Sequence, residues 1–460
     1  MPVGWTGKHY FDVSKIYGPM VYFRVPGRQF IILNNYDDAV NLFEKRGALY
    51  SDRPTLYMAH ELVGRKVTVL FTPYGERLRR YRRLITAATH PRAAPRQWPL
   101  HEQETLNLLG RLLATPEAFL DHLHTHSVTV SVKTVYGLTV AGKDDLYAIR
   151  AKQFANLTNM SSQPGRWLVD SFRWMRYIPA WVPGARFKRI AKVWKAELEA
   201  FSRVPMQAVK QKLREGTAEP CFVVDQLEDP EFASDPLRDE LIEHAAGGMY
   251  SGGIDSTASL FQIFVLCMTL FRDAQKKAQA EIDRVVGPDR LPNMHDAPQM
   301  PYVEALIKEV HRIHPIVNLI PHATLTEDEY KGYTIPAGAS VIANTWAFSR
   351  DENMYPDAER FDPDRFLDAR AVNAVDPRNY TFGMGRRRCP GTTLTESFTF
   401  LAVASMLAVF DFEMPLEGPQ PELKFDDALT SHPLPFTCRI LPRSAAAVVL
   451  INQQRASQHA

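Results

Sequence analysis

The ten residues "FGMGRRRCPG", Phe382 to Gly391, constrain this 460-residue chain more than any other stretch. They set one cysteine among three glycines and three consecutive arginines. A thiolate is a strong metal ligand and a strong nucleophile, and both roles gain from positive surroundings. Glycines remove side chains where another body must approach and permit positive φ. The apolar run "TLTESFTFLAVASMLAVF" that follows reads as a helix. Its first N–H groups would face the sulfur of Cys389 and favour negative charge there. A cysteine taken alone is more often a buried structural residue. That reading leaves the glycines and arginines together unexplained, whereas a sulfur presented to a flat, bulky, anionic partner accounts for both.

The four cysteines, Cys221, Cys267, Cys389 and Cys438, lie far apart, with no CxxC pair. This argues against a structural zinc site and a disulfide framework, and for a reducing compartment. A net charge of +2 gives no global reason to expect a nucleic-acid partner. The first twenty residues hold no long apolar run, so neither a signal peptide nor a membrane anchor is visible. The greasiest stretch, Ser259 to Phe271, is too short to span a bilayer and reads as half of a buried helix.

The pattern along the chain is mainly α with small β-sheets. "MVYFRV" and "QFIILN" flank Pro26-Gly27 and predict a hairpin. From about Tyr36 helical periods dominate. "AQKKAQAEIDRVVG" is amphipathic and stops at Gly287; "PYVEALIKEVHRIHP" opens at Pro301 and stops before Pro315. "KGYTIPAGASVIANT" and "LPFTCRILP" return to strand-like character. No repeat or low-complexity linker divides the chain, which predicts one large domain over residues 1–460 with a frayed tail from about residue 451.

The cysteine segment resembles the haem-binding signature of the cytochrome P450 superfamily, F-G-x-G-x-R-x-C-x-G, at every fixed position. The resemblance implies the cytochrome P450 fold, with Cys389 as the axial thiolate on the iron of haem b. It places Phe382, Gly383 and Gly391 around the sulfur and Arg387 on a haem propionate. Further landmarks follow in order. Glu309 and Arg312 form E-x-x-R, spaced i, i+3 on one helix face, and Arg365 of "FDPDRF" completes the family's Glu-Arg-Arg network. Gly252-Gly253-Ile254-Asp255-Ser256 matches the A/G-G-x-D/E-T of the family's central helix, with Asp255, Ser256 and the adjacent Thr257 as the proton-delivery residues. The usual threonine is Ser256 here; a serine hydroxyl can still relay a proton. Two glycines inside an apolar helix also fit a close helix crossing. In "ERLRRYRRL", Arg82 takes the arginine of the family's W-x-x-x-R and would bind a propionate, while Leu78 stands for the tryptophan. The neighbouring arginines read as solvated or as a docking face for an acidic redox partner. His322 lies near a propionate by resemblance; a satisfied loop histidine is the alternative. His122, His124 and His126 lack the glutamate of a zincin motif.

The resemblance runs from "YSDRP" to "SHPLPFTCRILPR" and looks closest to fungal natural-product enzymes, O-methylsterigmatocystin oxidoreductase-like and tryptamine hydroxylase-like members. It implies a monooxygenase that takes O2 and a hydrophobic small molecule, fed with NADPH electrons by a cytochrome P450 reductase, with cytochrome b5 as a second donor. The expected pocket wall includes Met249, Gly252, Gly253, Ile316, Asn318, Leu319 and Thr430. A haem-thiolate isomerase, dehydratase or peroxygenase is the alternative, and a non-enzymatic haem binder ranks last, because Asp255 and Ser256 retain the acid–alcohol pair. The resemblance implies a monomer on the cytoplasmic face of the endoplasmic reticulum. The family's anchor helix and proline-rich hinge are not seen in this sequence, which leaves open an engineered truncation, an incomplete gene model or a naturally soluble form. Four tryptophans among basic residues between Gly165 and Lys195 suit either a lipid–water interface or a surface helix pair packed on the core.

Overall fold

The computed structural model describes residues 6–367 and 374–459. Its axis is a 33-residue helix, Arg238–Leu270, about 50 Å long at 1.5 Å per residue. The second half of this helix is apolar on every side, and Phe261, Ile263, Phe264, Leu266 and Met268 are all buried. A helix hydrophobic all round must be enclosed by others. It is packed by Trp98–Ala114, Phe119–Tyr136, Pro301–Ile313 and Thr392–Val409, which share its core. Both Arg238–Leu270 and Thr392–Val409 are long and apolar enough to cross a membrane, yet 72% and 67% of those windows are buried inside the fold.

The hairpin predicted around Pro26-Gly27 is present. Strands β1 (Met20–Val25) and β2 (Arg28–Leu33) pair antiparallel, with Val25 opposite Arg28 and Gly27 at φ +74°. The remaining strands are β3 (Leu319–Ala323), β4 (Asp328–Tyr330), β5 (Tyr333–Ile335), β6 (Ser340–Asn344), β7 (Phe410–Glu413) and β8 (Arg439–Pro442). The main sheet has the order β1-β2-β6-β3, with β6 parallel to β2 and antiparallel to β3. Strands β4 and β5 turn at Lys331-Gly332, both with positive φ, the geometry of a two-residue hairpin turn. The helix Pro301–Ile313 starts at its proline and ends at His314, whose extended backbone is what a following proline demands.

The N-terminal segment adds an element, and one expectation changes. The first twenty residues contain a helix, Gly7–Tyr17, that docks on the main sheet through Tyr10. The supposed tail from residue 451 belongs to the last helix, Ala445–His459, because Ile451 is fully buried in the main core and pins it; Ala460 lies outside the described residues.

Candidate functional site

The cysteine loop is shaped by its glycines. Gly383 and Gly385 both have positive φ, and a Cβ on Gly385 would strike the carbonyl of Phe43, in the π-helical turn Asn41–Lys45. The Cys389 N–H donates to the Phe382 carbonyl at 2.7 Å, closing the loop. The helix Thr392–Val409 opens directly afterwards with Gly391 as its N-cap, and the Gly391 N–H points at the sulfur. Cys221, Cys267 and Cys438 are buried, whereas Cys389 is exposed. Its surface faces a large cavity in the fold. Burial therefore pushes the thiol up, against the opposing pull of the Gly391 N–H and the charges of Arg82 and Arg388.

That cavity measures about 1260 Å³, and Cys389, Phe382, Gly383, Arg387, Gly391 and Arg82 all line it. Arg387 donates through Nε to Ser51 O at 2.7 Å and through Nη2 to Thr72 O at 2.8 Å, leaving its buried Nη1 without a partner. Arg82 donates to Arg388 O at 2.8 Å, which ties it to the cysteine loop. Arg53 also lines the cavity, half-buried, held by Leu70 O and Pro321 O. Burial and the charge of Arg387 push the Arg53 guanidinium down to about 9. Adjacent cations withdrawn from water call for an anion between them. This donor set, three guanidiniums and an accessible sulfur beside a glycine-cleared space, fits a haem with its propionates and its axial ligand. Sequence reading missed Arg53, although it stands in the quoted "YSDRP". Leu78, in the tryptophan position, is a buried wall residue.

His322 is placed differently from the expectation. It is buried behind the wall, stacked on Phe43 at 4.0 Å, with Nδ1 on Tyr50 O at 2.7 Å and Nε2 unpartnered. Burial, with Arg53 next, holds it well below the usual imidazole range, so the ring is neutral.

The central helix lends its middle to the cavity. Met249, Gly252, Gly253, Asp255, Ser256 and Thr257 all line it. The two readings of the glycine pair divide. A Cβ on Gly253 would come within 2.6 Å of Ser131 Oγ on the helix Phe119–Tyr136, whereas a Cβ on Gly252 would meet open space. Ser256 Oγ donates to Gly252 O at 2.8 Å. Asp255 Oδ1 lies 3.1 Å from Nε2 of His432, whose Nδ1 is 3.0 Å from Gln262 Oε1. Both neighbours accept, so the arrangement suits a doubly protonated ring. Burial opposes that charge, but the hydrogen bond and charge of Asp255, with Asp426, outweigh it and raise the His432 pKa. His124 also faces this cluster, driven down to about 4 by burial and by Lys152. Nothing near Asp255 in sequence signals His432, which lies 177 residues away.

This pair has a measurable sign. A raised imidazole pKa contributes stability that is full below the unfolded value, near pH 6.5, and is lost as pH rises through the folded value. Being partly exposed, the pair should contribute about 1 kcal/mol or less. The wild type should therefore exceed His432→Gln in thermal midpoint at pH 6, with the gap closing above neutrality. A gap that widened with pH would refute the assignment.

Of the other expected wall residues, Ile316, Leu319 and Thr430 line the cavity. Asn318 does not: it sits in the bend before β3, packed toward Gly7 of the N-terminal helix, where its Cβ would be 3.2 Å from an added one. The three clustered histidines part company. His122 bonds Thr115 Oγ1 at 2.7 Å, His124 joins the Asp255 cluster, and His126 is buried against Phe261 and Phe398. The surface arginines are already paired within the chain: Arg77 with Glu240 at 2.6 Å, Arg79 with Glu76 at 2.8 Å, Arg80 with Asp235 and Arg83 with Glu231.

Beneath the cysteine loop sits the expected carboxylate network. Arg312 grips Glu309 with Nε to Oε2 at 2.7 Å and Nη2 to Oε1 at 2.8 Å. Arg365 Nε reaches the same carboxylate at 3.2 Å, and the Asp362 N–H donates to it at 2.7 Å. Arg312 further donates to the carbonyls of Ser349, Ala358 and Arg360. Glu309 and Arg312 are fully buried.

The comparisons with known proteins agree with this geometry. A family profile described as Cytochrome P450 matches residues 5–439. Cytochrome P450 monooxygenase claR of Ampulloclitocybe clavipes is 38% identical over 445 residues, covering 95% of this chain and 82% of the relative. Cytochrome P450 monooxygenase 208 of Postia placenta is 38% identical over 448 residues, covering 96% and 87%. Among solved structures, a zebra fish cytochrome P450 with progesterone superposes with a TM-score of 0.77 at 20% identity, covering 95% of this chain and 99% of that one. A second, with abiraterone, gives 0.75 at 22% identity, covering 95% and 100%. With the signature loop, its cavity and these relatives in hand, the chain belongs to the cytochrome P450 family and is an oxidoreductase of the monooxygenase type.

Proposed function

We propose that the chain oxidises a hydrophobic small molecule of fungal secondary metabolism, with NADPH electrons delivered by a partner cytochrome P450 reductase. One observation carries this reading: the single accessible cysteine sulfur among the described residues and the Asp255–Ser256 pair are walls of the same cavity. Cys389 would hold the haem iron through its sulfur. Arg53, Arg82 and Arg387 would hold the propionates, with Phe382, Gly383 and Gly391 shaping the seat. The haem, when bound, supplies the activation of molecular oxygen.

The chain's own residues bind, orient and move protons. Ser256 turns its proton back to the Gly252 carbonyl, which leaves its lone pairs free to hold a water in the cavity. Rotation about χ1, unhindered by a β-methyl, would redirect that proton. Asp255, held by His432, stands next to it as the link to outer groups. Met249, Gly252, Gly253, Ile316, Leu319 and Thr430 would contact substrate.

Exposed Leu168, Phe172, Trp174, Tyr177 and Trp181 cluster with basic residues between 165 and 189, which supports peripheral contact with the cytoplasmic face of the endoplasmic reticulum. Trp167 and Trp194 instead pack edge to face at 5.7 Å, so the aromatic segment serves both the surface and the core. The test is direct. Purified protein should show the strongly red-shifted Soret band of a thiolate ligand when reduced under carbon monoxide, and should turn over NADPH only with a reductase present. An imidazole-type band, or turnover driven by peroxide alone, would overturn the reading.

A further inference from the structure

A buried arginine that the haem seat leaves unused points to the kind of substrate. Arg65 stands in the short helical turn Arg65–Val67, lines the cavity, and is 2% exposed. Its guanidinium is sandwiched by two rings, 4.3 Å from the centroid of Phe71 and 5.1 Å from that of Phe154. Neither its Nε nor its Nη1 has a hydrogen-bond partner, and no carboxylate among the described residues pairs with it. Burial alone pushes it down to about 9, so it stays charged at neutral pH. The contrast with the other buried arginines is sharp. Arg312, Arg365 and Arg387 all donate to backbone carbonyls.

An unpaired buried cation is costly unless something else neutralises it. The rings on either side hold the guanidinium plane and exclude water, yet satisfy none of its donors. His60 lies edge-on to the same Phe71 at 5.3 Å, is buried, and also leaves Nε2 without a partner. Burial and the charge of Arg65 hold it down to about 4, so it is neutral and can donate or accept. Two neighbouring polar groups with open valences thus share one apolar wall.

We propose that Arg65, assisted by His60, recognises a carboxylate on an otherwise apolar substrate. The guanidinium fork matches a carboxylate, and a charge-assisted pair in an apolar wall is stronger and more oriented than a neutral contact. The carboxylate would be held at Arg65, leaving the rest of the molecule to fill the apolar cavity. This rests on the reading above, that the cavity beside Cys389 holds the substrate.

The experiment uses the haem-loaded enzyme and two matched probe pairs, 1-naphthylacetate against 1-naphthylacetamide and dodecanoate against dodecanamide, titrated calorimetrically. At least one acid should bind the wild type about tenfold or more tightly than its amide, the size of one charged hydrogen-bonded contact. Arg65→Gln should erase the preference, Arg65→Lys should keep part of it, and Arg65→Met should raise the ligand-free thermal midpoint. Equal affinities within both pairs, no binding of any probe, or a preference that survives Arg65→Gln would overturn the proposal. So would loss of haem from Arg65→Gln, which would assign this arginine to a propionate. The carbon monoxide spectrum separates the two levels. Wild type with a thiolate-type band but no acid preference sinks only this inference, whereas a missing band sinks the reading beneath it.

Discussion

Glu309→Ala is expected to strip two buried guanidiniums of their shared counter-ion and to cost about 3–5 kcal/mol, the usual penalty for stranding a buried charge. Arg312 would keep its bonds to the Ser349, Ala358 and Arg360 carbonyls, which shows that its donors are not the whole matter. What disappears is the negative charge at 2.7 Å, and with it the acceptor for the Asp362 N–H that ties the Arg365 segment to the helix Pro301–Ile313. That segment leads into the cysteine loop, so the loss should appear twice: as a lower denaturant midpoint and as a reduced yield of haem-containing protein. Glu309→Gln keeps an acceptor without the charge and should fall in between. An alanine variant with wild-type midpoint and haem content would show that the network is dispensable. Glu76→Ala, which breaks an exposed pair with Arg79, should change the midpoint by less than about 1 kcal/mol.

Cys389→Ala should abolish the red-shifted carbon monoxide band and NADPH-dependent turnover while sparing the apoprotein fold. The sulfur opens on the cavity, so its removal leaves no void in packed core. The loop is closed by the Cys389 backbone N–H on Phe382 O, a bond alanine keeps. Cys267→Ala makes the opposite prediction. That thiol is fully buried in the main core, so its loss should lower stability and leave the spectrum alone. Retention of the shifted band in Cys389→Ala would remove the basis of the functional reading.

What the sequence disclosed follows from how each feature is encoded. The hairpin at Pro26-Gly27, the helix between Pro301 and Pro315, the Glu309–Arg312 pair and the cysteine loop are all written within about a dozen consecutive residues. Turn chemistry, helix punctuation and i, i+3 spacing are local rules, and they were legible. The Asp255–His432 pair joins elements 177 residues apart and obeys no local period. Arg65 and Arg53 were equally hidden, since a cation that lines a cavity and a solvated one look alike until their surroundings are known. Asn318 was misplaced for a related reason: sequence position put it beside Ile316 and Leu319, but its contact is with Gly7, more than three hundred residues away in sequence. The terminal helix was missed because its polar composition suggested fraying, while the single anchor Ile451 decides the matter.

The adjacent glycines of the central helix have a consequence for how such an enzyme could diversify. At Gly253 a methyl group meets the Ser131 hydroxyl of the neighbouring helix; at Gly252 it enters vacant room beside the reaction chamber. Two neighbouring codons therefore carry unequal mutational freedom. The second requires the Ser131 hydroxyl to turn aside, while the first is a throttle on chamber size that can be tightened one carbon at a time, letting descendants shift toward slimmer molecules without disturbing the scaffold that holds them.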